Sequence, residues 1–142
     1  MTNRPTRVFI PVMALLAATN IEAASLDIEV TAIEAPTGFI MLAMFDSAEA
    51  FNDGGKPVRA VKLPVEGERV EARFDDLPAG KYAIKLYHDA NGNGEMDSNM
   101  LGLPIEGYGF SNNVGRFGQP PFTDAAFEVA EETPNSTSIR VR

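Results

Sequence analysis

The 142-residue chain contains no cysteine and only one histidine, His88. The first absence removes disulfide staples, thiolate nucleophiles and cysteine-held metals together, so stability has to come from a buried core, helped at most by a metal held through oxygen. The second leaves little room for the histidine-containing ligand sets of catalytic zinc. No serine stands in a Gly-x-Ser-x-Gly elbow, and Gly107-Tyr108-Gly109-Phe110 lacks the lysine and the helix of a phosphate loop. Positive charge is also scarce, with 12 Lys and Arg against 20 Asp and Glu for a formal charge of −8. Such a chain is repelled by nucleic acid and by anionic membrane surfaces, and it is suited to cations.

Long apolar runs are confined to the beginning. Arg4 and Arg7 precede about a dozen mostly apolar residues, Val8 to Thr19, and Ile21-Glu22-Ala23 follows as a small-residue cleavage site. Residues 1–23 therefore read as a secretory signal peptide that sends the chain to the periplasm or the exterior. The run falls short of the roughly 20 apolar residues of a membrane span and is broken by Pro11, so no transmembrane segment is expected in the mature chain. With no cysteine at the boundary, lipid attachment there is excluded. Removing two arginines and Glu22 makes the remainder one unit more acidic than the whole. Residues 24–142 show no internal repeat and no low-complexity linker, which predicts one domain with one core.

From Leu26 onward the dominant period is two. Leu26, Ile28 and Val30 alternate with Asp27, Glu29 and Thr31, the pattern of a strand with one buried face. Gly38 to Phe45 is apolar on both faces and predicts a central strand covered on each side. Asp46-Ser47 can cap one helical turn through Phe51 before Asn52-Asp53-Gly54-Gly55 ends it. Further strands are expected at Val58–Val65, Val70–Asp75, Lys81–His88, Ala126–Val129 and Thr137–Val141. Seven short strands with almost no helix predict an all-β fold, a seven-stranded antiparallel β-sandwich of immunoglobulin-like or transthyretin-like form.

The connection at about 89–123 is far longer than the usual 4–6 residues. Its Met100, Leu101, Leu103, Ile105, Tyr108, Phe110, Phe117 and Phe122 are expected to be buried, with Met100 in the core. It opens with Asp89-Ala90-Asn91-Gly92-Asn93-Gly94-Glu95-Met96-Asp97. A calcium loop wraps oxygens from alternate residues around the ion and makes its sharp turn at a glycine in position six. Counted from Asp89, Asn91 is third, Asn93 fifth, Gly94 sixth, Glu95 seventh through its carbonyl, and Asp97 ninth. Position twelve is Met100 where a helix-flanked loop has a bidentate Glu, and Gly102 and Pro104 deny the following helix, so the expectation is part of a calcium loop grafted on a sandwich. Glu106 is the candidate for a further ligand. The competing reading is an ion-free turn in which Asp and Asn bond their own backbone.

Those residues also resemble a known family. Leu77-Pro78-Ala79-Gly80, the strand ending in His88-Asp89, the Asn91–Gly94 loop, Gly102-x-Pro104-x-Glu106-Gly107-Tyr108-Gly109-Phe110-Ser111-Asn112-Asn113 and Gly118-Gln119-Pro120 are similar to the signature of an uncharacterised secreted bacterial family, domain of unknown function 2141. The resemblance is strong from Leu77 to about Val129 and holds only in outline before that. It implies an exported protein and no established activity.

Three uses of the loop follow. The leading expectation is an exported, non-enzymatic protein whose calcium-ordered loop presents a surface, including Tyr108, Phe110, Arg116 and Phe117, to an unknown protein or glycan partner; equally, those aromatics can plug the loop onto the sandwich. A small periplasmic hydrolase would need His88, Asp89 and Glu106 to converge, although adjacent strand residues point to opposite faces. A carbohydrate-binding module would need Tyr108, Phe110 and Phe117 flat and exposed. His88 shares a strand face with Tyr82, Ile84 and Leu86, which also suits a partly buried rim histidine.

Overall fold

The structure, a computed structural model, describes residues 23–142, so the expected leader lies outside the described residues except for Ala23. Strand β1 (Ala24–Thr31) buries Ala24, Leu26, Ile28 and Val30, as their alternation with polar residues requires. It lies between β4 (Val70–Leu77) and β8 (Asn135–Arg140) in a three-stranded sheet. The facing sheet runs β3 (Arg59–Pro64), β2 (Phe39–Phe45), β5 (Gly80–Asp89) and β6 (Tyr108–Phe110), with β7 (Phe127–Val129) paired to the first residues of β5. The main core lies between the sheets, where Leu26, Ile28 and Ile139 meet Ile40, Leu42, Met44, Ile84 and Leu86.

A β-sandwich is what the periodicity implies, with two differences in detail. Among the described residues there are eight strands rather than seven, because Tyr108-Gly109-Phe110 forms a strand too short for alternation to reveal. One pairing, β1 with β8, is parallel, joining Leu26 to Asn135 and Thr31 to Arg140, while the other strand pairs are antiparallel. Period two specifies which face is buried and carries no information on direction.

Ser47 caps helix α1 (Ala48–Asn52) by accepting a hydrogen bond from the Ala50 N–H at 3.3 Å. Together with helix α2 (Phe122–Ala125), α1 closes a second, smaller core on the outer face of the five-stranded sheet, built from Phe45, Phe51, Ala83, Phe110 and Ala125. Phe51 is its centre. Its ring meets Phe45, Phe110 and Phe122 edge-on at 5.7, 6.4 and 5.9 Å. Where β6 and β7 leave a gap along the edge of β5, the buried Ser111 hydroxyl takes the place of a strand, accepting from the Ile84 N–H at 2.9 Å and donating to the Ala125 carbonyl at 2.6 Å. It satisfies two backbone groups that would otherwise be stranded inside.

The long connection is therefore interrupted by β6, a 3-10 turn at Ser111–Asn113 and α2. Its apolar residues divide. Phe110 is buried and Tyr108 and Phe122 are half-buried, but Met100 is fully exposed, Leu101 is 83% exposed and Phe117 95%, with Leu103 and Ile105 also in solvent. The expectation that Met100 belongs to the core is wrong. Residues 97–105 form a self-contained hairpin: Ser98 bridges Pro104, and the Asn99 side chain accepts from the Leu101 and Leu103 N–H groups at 2.9 and 3.0 Å. A segment that satisfies its own backbone has no need to dock its side chains. No helix among the described residues is long and apolar enough to cross a membrane.

Candidate functional site: a loop and the cleft beside it

Strand β5 delivers Tyr87, His88 and Asp89 to alternate faces at the head of the long connection. His88 turns inward, buried, with Nε2 2.7 Å from the Thr37 carbonyl. A carbonyl can only accept, so Nε2 carries the proton. Asp89 turns outward yet is wholly buried, its carboxylate accepting from the Asn93 N–H at 3.1 Å and the Gly94 N–H at 2.9 Å. The Asn91 side-chain oxygen accepts from Asn93 N–H at 3.0 Å, and the Asn93 oxygen from Glu95 N–H at 2.9 Å. Gly92 and Gly94 take positive φ of 72° and 80°, which curls the backbone inside this ladder.

Asp97 closes the ring. Its carboxylate receives the Asn91 Nδ2 at 2.5 Å and the Asn93 Nδ2 at 3.0 Å. Glu106 clamps both ends of the loop, one oxygen accepting from Ala90 N–H at 3.0 Å and the other from Asp97 N–H at 3.1 Å. The loop is also tied to the sheet, because the Tyr87 hydroxyl donates to the Gly94 carbonyl at 2.9 Å. Burial first, then the negative charges of Asp89, Glu106 and Glu95, hold the Tyr87 pKa above the ordinary tyrosine value.

Asp89, Asn91, Asn93, Asp97 and Glu106 are thus brought together, while Glu95 contributes its backbone and keeps its side chain in solvent. The donor set is all oxygen and amide, the chemistry of a hard cation such as calcium. No group of three or more His, Asp or Glu side chains among the described residues converges as a metal cage. An ion here would lean on amide and carbonyl oxygen, and it would replace the two amide donors that now face Asp97.

His88, Asp89 and Glu106 do not form a catalytic group. His88 lies on the inner face against Thr37, and the two carboxylates are engaged with loop N–H groups. The expected aromatic surface also splits. Phe110 is spent in the small core, and Tyr108 meets it at 66° rather than forming a flat platform. Only Phe117, with the Arg116 guanidinium 5.6 Å from its ring centre, stands in solvent.

The feature missed from sequence lies next to the loop. The outer face of β2 was expected to be covered, but Phe39, Met41 and Ala43 are only half-buried. Strand register sets Met41 beside Lys62 and Tyr87, and Ala43 beside Ala60 and Lys85, and these rows floor a cleft of about 650 Å³. Met96 and Pro104 of the long connection wall one side, and Gly118 and Gln119 another. Lys85 Nζ donates to the Phe51 carbonyl at 2.8 Å and to Gln119 Oε1 at 3.2 Å, and desolvation lowers its pKa below the ordinary lysine value. The signal was present in Phe39-Ile40-Met41-Leu42-Ala43-Met44-Phe45, a run apolar on both faces of a sheet that has full cover on one.

Residues 28–137 match a family model described as an uncharacterized protein conserved in bacteria, DUF2141. No curated protein and no solved structure matches the chain.

Proposed function

We propose, for a chain that belongs to the DUF2141 family of uncharacterised bacterial proteins, that it is an exported, non-enzymatic binding protein whose ligand site is the outer-face cleft and whose 89–97 loop is clasped by calcium. One observation carries this reading: the connection that contains the Asp and Asn ladder also supplies Met96 and Pro104 to the cleft wall. Whatever stiffens the loop stiffens the wall. A cleft of this volume falls within the roughly 300–1,000 Å³ of small-molecule sites. Support for calcium comes from the spacing that brings the Asp89, Asn91, Asn93 and Asp97 side chains onto one loop; the N–H bonds that Asp89, Asn91 and Asn93 accept are shared with the ion-free turn.

With only two carboxylates in the ring, affinity is expected at roughly 10⁻⁴ to 10⁻³ M, the range of extracellular modules. Residues 24–142 should therefore melt higher in millimolar calcium than in chelator. The gain is about 1.4 kcal/mol when calcium is tenfold above its dissociation constant. Asp97→Ala should remove the shift while leaving Asp89 in its structural role. Superimposable wild-type melting curves with and without calcium would remove calcium from the proposal and leave the cleft standing.

Export is supported by the signal-like residues 1–23. N-terminal sequencing of the protein recovered from a periplasmic fraction should start at Ala24, and recovery only in the cytoplasm with Met1 or Thr2 leading would refute it.

A further inference from the structure

We infer that the outer-face cleft takes an amphiphile with one extended apolar chain and an anionic head, of the fatty carboxylate class. This rests on reading the cleft as a ligand site, and it names the ligand's chemistry. The floor is elongated, crossing from β3 over β2 and β5 to β6, three inter-strand spacings or about 14 Å. Ala43 and Ala60, paired across β2 and β3, make its depression. Met41 in the floor and Met96 in the wall give it adaptable thioether surfaces. Such a trough suits a flexible hydrocarbon better than a rigid polar ring.

The charge pattern fixes the other end of the ligand. The protein is strongly acidic, yet the only charged side chains lining the cleft are Lys62 and Lys85, and no Asp or Glu lines it. Among the described residues neither lysine has a carboxylate partner. Lys62 lies 3.9 Å above the Phe39 ring. Lys85 is held over the Phe45 and Phe51 rings at 4.6 and 4.9 Å, and two of its three ammonium protons are engaged with Phe51 and Gln119. The third has no hydrogen-bond acceptor among the described residues. A partly buried ammonium that meets only neutral acceptors is poorly compensated, and an incoming carboxylate would complete it. A cationic amphiphile would meet two like charges and a neutral one would leave Lys85 as it is.

The test is calorimetric titration of residues 24–142 with dodecanoate, dodecanol and dodecyltrimethylammonium, each below its aggregation threshold. Dodecanoate should bind one to one and at least about tenfold more tightly than the other two, the ratio that one charge-assisted hydrogen bond supplies. Lys85→Gln should bring dodecanoate down to the level of dodecanol. Ala60→Trp, at an exposed floor position, should abolish binding by filling the trough while leaving the fold intact by circular dichroism. Equal binding of all three amphiphiles, lost in Ala60→Trp, would overturn the anionic class and keep the cleft as a site. Binding of none would overturn both, as would sedimentation showing a dimer that Ala60→Trp dissociates, since a second copy would then be the occupant.

Discussion

Phe51→Ala is expected to lower the free energy of unfolding by about 3–5 kcal/mol, the usual cost of removing a large buried ring. Phe51 is wholly buried and makes three edge-on ring contacts, so truncation opens a cavity and also ends interactions worth about 0.5–1.5 kcal/mol each beyond burial. Its neighbours cannot refill the space without moving α1, which has five residues and is far too short to persist by itself. The carbonyl of the same residue accepts from Lys85 Nζ and from the Gln119 amide, so loosening α1 also loosens one end of the cleft. Against the roughly 5–15 kcal/mol that stabilises an ordinary domain, the loss is severe. In urea the midpoint should fall with little change in slope. A loss below about 1 kcal/mol would mean that the second core is dispensable.

Gly38→Ala is expected to cost about 2–5 kcal/mol, from backbone strain and overpacking together. Gly38 has φ of +72°, a region that a side chain enters only with strain. A Cβ there would stand 2.0 Å from the Asp89 carbonyl oxygen and 2.8 Å from the Ala90 backbone. No rotamer relieves a clash with main chain, so the entry of the 89–97 loop has to shift. Gly94→Ala is the control: φ is +80° but nothing lies within 4 Å of the added carbon, so only the strain of about 1–2 kcal/mol applies. Amide shifts of Ala90 to Gly94 should move in the Gly38 variant. Equal stability of the two variants would show that the close approach is not what anchors the loop.

Much of this fold was legible because it rests on strong local patterns. The alternation in Leu26–Thr31 and Val70–Asp75 found β1 and β4, and the spacing of Asp89, Asn91, Asn93 and Asp97 singled out residues that do close on one another. Glu106 could be named as a partner of the loop, but its action as a clamp on the Ala90 and Asp97 N–H groups is a matter of tertiary approach. β6 escaped notice because three residues carry no period. Met100 and Leu101 were misjudged because hydrophobicity argues for burial only when a segment must dock, and the 97–105 hairpin holds itself through Asn99. The cleft was hidden for a related reason: sequence shows that β2 is apolar on both faces, and it cannot show that the second cover stops half-way along the strand.

The parallel alliance of β1 with β8 also bears on when the chain can fold. Ser25 and Asn135, 110 positions apart, are hydrogen-bonded neighbours, and Ile139 stands beside Val30 in the same core. Contacts this distant are formed late, after the loop-closure entropy of almost the whole described chain has been met. A nascent polypeptide would hold its first strand with one edge unclaimed until residues 135–140 had been made, so the three-stranded sheet cannot be complete before they are.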